Sequence, residues 1–236
     1  MRLSIIIPAY NEEKRIPNLV EKARKTLDGL GIDHELIVVD DGSADRTHEV
    51  AMGLAETDNS VKVVHYSTNR GKGHAIRQGF LASSGDLILC MDADMGPMVH
   101  NIKKFIDVLA NGADVVVGSK RHPSSRVRYP IYRRFLSAGF NSLVRLFFGL
   151  PLADSQAGFK LYKREVLETV LPKLLMKRFA FEVEMMANVS RKGFNVVEAP
   201  IVYTHEGSHL TVGDVFWMGV DLIAIFYRMH MTDTYR

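Results

Sequence analysis

A doubly wound α/β fold built on a parallel sheet is what three features of this 236-residue chain predict. Short runs such as Leu3-Ser4-Ile5-Ile6-Ile7 and Leu87-Ile88-Leu89-Cys90-Met91 are almost continuously apolar. They lack the alternation of a half-buried strand and suit strands covered on both faces. Segments with apolar residues at helical spacing separate them, so the chain reads as repeated strand–helix–strand units. A compact polar constellation follows each run, and in such sheets ligands bind at the carboxyl ends of the strands.

In order, residues 3–8 form the first strand, closed by Pro8, so the amino terminus reads as a strand and not as a leader peptide. A helix is expected over 11–28, because Ile16, Leu19, Val20, Ala23 and Leu27 share one face. The second strand, 35–39, ends at Asp40-Asp41-Gly42-Ser43, and a helix over 45–57 leads to a third strand over 61–65. A helix over 71–83, a strand over 87–91, a helix over 99–111 and a strand over 114–118 complete the regular half. Beyond it, 121–130 reads as a basic loop with two prolines, and 131–149 as a helix with a wide aromatic and aliphatic face. A short strand over 158–162, a helix over 181–192, a strand pair or bent strand over 195–203 and an apolar helix over 212–231 follow. No linker or repeat interrupts the chain, which predicts one domain over 1–211 with an elaboration over 212–236.

Composition bounds the function. With 47% hydrophobic and 24% charged residues the chain can build a sizeable core. The single cysteine, Cys90, excludes an internal disulfide and fits a reducing compartment; inside an apolar strand it reads as a packed core thiol. A net charge of +3 is too small to argue for nucleic acid, which is not expected as a partner. No segment is an unbroken membrane span: 135–152 contains Asn141 and Arg145, and 212–231 contains Asp214, Asp221 and Arg228. Both segments suit a membrane surface, and packing on the protein or a homodimer interface fits them too.

The most informative constellation is Asp92-Ala93-Asp94, at the end of the fourth strand. Carboxylates at i and i+2 of a strand share a face and offer hard oxygen ligands to Mg²⁺ or Mn²⁺, with room for a diphosphate. Alone, the pattern is more often ordinary surface-turn chemistry, since Asp favours turns. Pro8-Ala9-Tyr10-Asn11-Glu12, Asp40-Asp41-Gly42-Ser43 and Asn69-Arg70-Gly71-Lys72-Gly73 fall on the same edge of a parallel sheet. Asp40 can accept hydrogen bonds from a base N–H or a ribose hydroxyl. Gly71 and Gly73 let backbone amides approach a phosphate, with Lys72 or Arg70 adding charge at a helix N-terminus. Gly42 and Ser43 also fit an ordinary turn and helix cap. Jointly the constellations predict a nucleotide-diphosphate and metal site.

These motifs, with 154–161, 178–184 and 206–208, resemble the inverting family 2 glycosyltransferases of GT-A fold, and within them the polyprenyl-phosphate sugar synthases. The likeness is greatest to dolichyl-phosphate β-glucosyltransferases, then to dolichyl-phosphate mannose synthases. It implies a Rossmann-like, mostly parallel sheet flanked by helices, with amphipathic membrane-facing helices. It further implies a nucleotide-sugar half over about 1–118 and an acceptor half over about 119–211. Pro8, Ala9, Tyr10, Glu12, Asp40, Asp41, Gly71, Lys72, Asp92 and Ala93 would line the nucleotide-sugar site, with Asp92 and Asp94 holding the metal. Gly96 stands where relatives can offer a further ligand, and it has no side chain to give. Asp154 and Gln156 would lie near the reacting centre. A lipid phosphate is already anionic, so its oxygen needs positioning by cations more than a base. Lys120, Arg121, Arg133 and Ser137 are the residues expected to hold it. His205, Ser208 and His209 would belong to a loop closing over the donor. The implied reaction moves a hexose, glucose from UDP-glucose first and mannose from GDP-mannose second, to dolichyl or another polyprenyl phosphate. The implied location is peripheral, on the cytoplasmic face of a membrane. A nucleotidyltransferase is the enzymatic rival, but it would carry a glycine- and lysine-rich loop where this chain has Pro8-Ala9-Tyr10-Asn11. A non-catalytic nucleotide-sugar sensor is the other rival, and it would need no acceptor site.

Overall fold

The computed structural model describes residues 1–128, 131–150, 152–177, 180–204, 212–232 and 234–235, with backbone alone for 131–136, 204 and 212–216. Four parallel strands open the sheet: β1 (Arg2–Ala9), β2 (Asp33–Asp41), β3 (Val61–Tyr66) and β4 (Leu87–Met91). Helices α1 (Ile16–Gly29), α2 (Thr47–Thr57) and α3 (Lys72–Ala82) connect them. A 3-10 segment, Ala93–Asn101, runs into α4 (Ile102–Ala110) and then β5 (Val115–Ser119). The remainder holds β6 (Arg126–Arg128), α5 (Ile131–Phe148), β7 (Phe159–Lys163), α6 (Arg164–Val170), α7 (Phe181–Arg191), β8 (Val196–Pro200), β9 (Val202–Thr204) and α8 (Val212–Met231).

The main sheet runs in the order β3-β2-β1-β4-β7-β5-β8. Both faces are covered, as the unbroken apolar strands require. Along β1, Leu3, Ile5 and Ile7 enter a core with Leu19, Val20 and Phe105, while Ile6 enters the opposite core with Ile76, Val166 and Phe181. Helix α8 is part of that second core through the buried Leu222 and Met229, and the Arg191 guanidinium donates to the Met229 carbonyl at 2.6 Å.

Four details depart from the expected layout, and each shapes the site edge. β7 is antiparallel to both neighbours, β4 and β5. The chain arrives from α5 at the carboxyl edge, through residues 152–158, and so descends through the sheet the other way. That entry places the loop before β7 against the end of β4, where the Asp92 amide donates to the Gly158 carbonyl at 2.8 Å. Residues 126–128, expected as loop, pair in parallel with β9 to form a second, two-stranded sheet. The first helix starts at Ile16 and not at Asn11, because Asn11 adopts a left-handed conformation, φ 58°. Finally, β4 stops at Met91, so the two aspartates do not share a strand face; Asp94 sits in the first turn of the 3-10 segment.

Candidate active site

The edge begins where β1 and β2 end. Asn11 ties them together: its amide donates to the Ser43 hydroxyl at 2.9 Å and its side-chain oxygen accepts from the Ala44 amide at 2.8 Å. Pro8 is half-buried, Ala9 is buried, and Tyr10 stands out at 49% exposure, presenting a ring to this edge. The Glu12 amide donates to the Thr47 hydroxyl at 2.8 Å, and its carboxylate pairs with Arg15 at 2.9 Å. Burial raises the Glu12 carboxyl above its ordinary value against the pull of Arg15.

The paired aspartates of β2 face inward. Asp40 is fully buried, with one oxygen accepting the Ser43 amide at 3.0 Å and the other 2.9 Å from His65 Nδ1. Asp41 accepts the Arg70 and Gly71 amides, both at 2.8 Å, and so shapes the turn that leads into α3. Gly71 holds φ 89°, which favours glycine there. In Gly73 a Cβ would lie 2.5 Å from the Phe181 ring, so the close approach of α3 to α7 needs its bare backbone.

That approach assembles a charged cluster. Lys72 Nζ lies 2.7 Å from Asp92 and 2.8 Å from Glu182. Glu182 also binds Lys160, whose ammonium donates to the Ala157 carbonyl at 2.6 Å. Burial would discharge Lys72, but Asp92 and Glu182 hold its pKa above the ordinary lysine value. Burial likewise opposes the Glu182 charge, and Lys160 and Lys72 reverse it, bringing the carboxyl to about 2. Lys72 therefore braces the first aspartate, alongside its expected position near a phosphate. Gly158 completes the brace, since a Cβ there would lie 2.2 Å from an Asp92 carboxylate oxygen.

Asp94 is treated differently. Among the described residues its buried Oδ1 has no hydrogen-bond partner, and its Oδ2 accepts from the Tyr203 hydroxyl at 3.4 Å. Burial, then the Asp92 charge, raises its pKa. Orphaned buried carboxylate oxygens are uncommon. An orphan beside a second carboxylate fits the all-oxygen donor set of Mg²⁺ or Mn²⁺, with Asp92 and Asp94 as the holding residues.

Tyr203 links this corner to the cations. The Lys120 ammonium lies 5.3 Å from its ring centroid and 3.9 Å from Asp154. Asp154 is buried, accepts the Lys120 amide at 3.0 Å, and donates its own amide to Glu198 at 3.0 Å. The Arg121 amide donates to the Ser119 hydroxyl at 3.2 Å, which holds the same turn after β5. The Ser155 hydroxyl donates to the Asn141 side-chain oxygen Oδ1 at 3.3 Å, and Asn141 Nδ2 donates to the Ser137 backbone carbonyl at 2.9 Å. Ser137 on α5 is thus brought to the loop that carries Asp154 and the half-buried Gln156. The Arg133 side chain and residues His205, Ser208 and His209 lie outside the described residues.

Sequence reasoning missed Glu182, Lys160, Tyr203 and Glu198 as site residues. A signal existed for Lys160, a charge inside the apolar run Phe159-Lys160-Leu161, which requires a buried partner. Glu182, at the start of a nearly all-buried helix, is that partner. Nothing in the pattern indicated Tyr203 or Glu198.

The model for glycosyl transferase family 2 matches residues 4–171. A human protein named dolichyl-phosphate beta-glucosyltransferase is 34% identical, covering 100% of this chain and 78% of its own. A Dictyostelium discoideum protein of the same name is 31% identical, covering 96% of this chain and 74% of its own. Among solved structures, glucosyl-3-phosphoglycerate synthase from Mycobacterium tuberculosis, in complex with Mn²⁺, uridine diphosphate and phosphoglyceric acid, superposes with a TM-score of 0.72. It is 21% identical and covers 96% of this chain and 77% of that one, so it bears on the fold alone.

Proposed function

Because the chain belongs to glycosyl transferase family 2, we propose that it moves a hexose from a nucleotide diphosphate sugar to dolichyl or another polyprenyl phosphate, with UDP-glucose as the donor and inversion at the sugar carbon. The orphaned Asp94 Oδ1 beside the braced Asp92 carries this reading. The names of the human and Dictyostelium discoideum relatives support the choice of donor and acceptor. Residues 1–118 serve the nucleotide sugar, 119–211 the acceptor, and 212–236 the membrane surface.

A divalent ion held by Asp92 and Asp94 would neutralise charge on the departing diphosphate. Lys72 and Glu182 keep Asp92 in register for that task, and Gly158 leaves room for its carboxylate. Pro8, Ala9, Tyr10 and Glu12 flank the nucleoside, Asp40 and Asp41 fix the turns around it, and the Gly71 turn faces the phosphates. Lys120 and Arg121, with Arg133 and Ser137 from α5, draw the acceptor phosphate in. Asp154 orients Lys120 through the contacts already described. A phosphate oxygen attacks the sugar carbon, the bond to the nucleoside diphosphate breaks, and no protein base is required.

Among the described residues no helix is long and apolar enough to cross a membrane. Trp217, Val220, Ile223, Tyr227 and Met231 are exposed at helical spacing along α8, and Leu143 and Leu146 on α5 are exposed too. This stripe lies in the headgroup boundary of the membrane that supplies the acceptor. The test is to offer purified protein UDP-glucose and, separately, GDP-mannose with a short polyprenyl phosphate and Mn²⁺. A β-linked glucosyl phospholipid is the expected product. A mannosyl product would replace the donor assignment, and no lipid product from either donor would overturn the reading.

A further inference from the structure

The geometry points to a second metal site, for a transition ion such as Zn²⁺, formed by Asp40, His48 and His65 at the end of β2. Their ligand atoms all lie within 4.8 Å of one another. Asp40 Oδ2 is 2.9 Å from His65 Nδ1 and 3.9 Å from His48 Nδ1. Tetrahedral bonds of about 2.1 Å place neighbouring ligand atoms about 3.4 Å apart, so one separation must lengthen and the other shorten by about half an ångström. Small side-chain rotations achieve that.

The Asp40–His65 contact alone could be a hydrogen bond that needs no ion. His48 argues otherwise. Among the described residues its buried Nδ1 has no hydrogen-bond partner, yet it lies 3.9 Å from the same carboxylate oxygen. The two imidazole rings stack with centroids 4.1 Å apart, which holds both nitrogens toward Asp40. The other Asp40 oxygen accepts the Ser43 amide, fixing the carboxylate as an outer partner fixes a metal ligand. Both histidines are partly exposed, at 44% and 38% of their side chains, so an ion can enter from solvent. Two imidazoles and one carboxylate select Zn²⁺, Ni²⁺ or Cu²⁺ over Mg²⁺, and a three-residue set leaves a fourth position open to water. The site is therefore chemically distinct from the all-oxygen pair Asp92 and Asp94. On the reading above it adjoins the nucleoside pocket, but its occupancy can be measured without any sugar transfer.

The experiment titrates the full chain, stripped by chelator, with Zn²⁺ alone in an excess of Mg²⁺, following bound metal by calorimetry and by competition with a zinc-sensitive dye. The expected result is one Zn²⁺ per chain that Mg²⁺ does not displace. His48→Ala and His65→Ala should each weaken it more than about 10-fold, while Asp94→Ala should leave it unchanged. Unfolding midpoints check that the variants fold, and His48→Gln serves as the milder second variant. Absence of stoichiometric Zn²⁺ on the wild type, or equal affinity in the folded His48 variants, overturns the site.

Discussion

Asp94 is a carboxylate that the fold alone does not satisfy. Its burial and the neighbouring Asp92 charge raise its pKa, so in metal-free protein its charge opposes folding at neutral pH, and protonation relieves the cost. Asp94→Ala should lower turnover about 10²–10³-fold while leaving the unfolding midpoint in chelator equal to or above that of the wild type. Glu182 works in the other direction. Its carboxyl is depressed from 4.5 to about 2, so the stability it contributes is present above pH 4.5 and is lost as pH falls toward 2. That contribution is on the order of 3 kcal/mol. Urea unfolding between those pH values should show the loss in the wild type and a flattened dependence in Glu182→Gln, which should also be less stable at neutral pH. Gly158→Ala tests the brace on Asp92: a methyl 2.2 Å from that carboxylate oxygen must displace it. Turnover should fall at least about 10-fold, with a smaller relative change in unfolding midpoint.

At the scale of elements, β7 decides how the second half of the chain meets the end of β4. Its apolar pattern was legible as a strand, but direction is not written in a pattern of period two; it follows from the edge at which the chain re-enters. The same limit hid β6, whose three residues Arg126, Val127 and Arg128 carry too little apolar signal and pair only because β9 lies beside them. Strand β4 was legible to the residue, since its apolar run and its polar boundary coincide. Helix α8 was legible as amphipathic, but not as a member of the second core through Leu222 and Met229. Its outward stripe gives a prediction: Ile223→Asp, at a position 63% exposed, should reduce co-sedimentation with anionic phospholipid vesicles several-fold while shifting the unfolding midpoint little. Undiminished vesicle binding would remove the assignment of that face to the membrane.

Taken as one molecule, the fold converges on a single edge: the ends of β1, β2 and β4, the turn into α3, and the loop that enters β7. That the motifs after β1, β2, β3 and β4 share one edge was readable because each follows its own strand, where local sequence and spatial position agree. The cluster of Lys72, Asp92, Lys160 and Glu182 was not, because its members come from four separate elements and only the packing of α7 against α3 brings them together. The central claim is that this edge grips a divalent ion between Asp92 and Asp94 beneath the donor diphosphate. Electron paramagnetic resonance of Mn²⁺, titrated with UDP in wild-type protein and in Asp94→Ala, tests it most directly. The account predicts one UDP-dependent bound Mn²⁺ per wild-type chain and its loss in the folded variant; equal Mn²⁺ binding in the two proteins would contradict it.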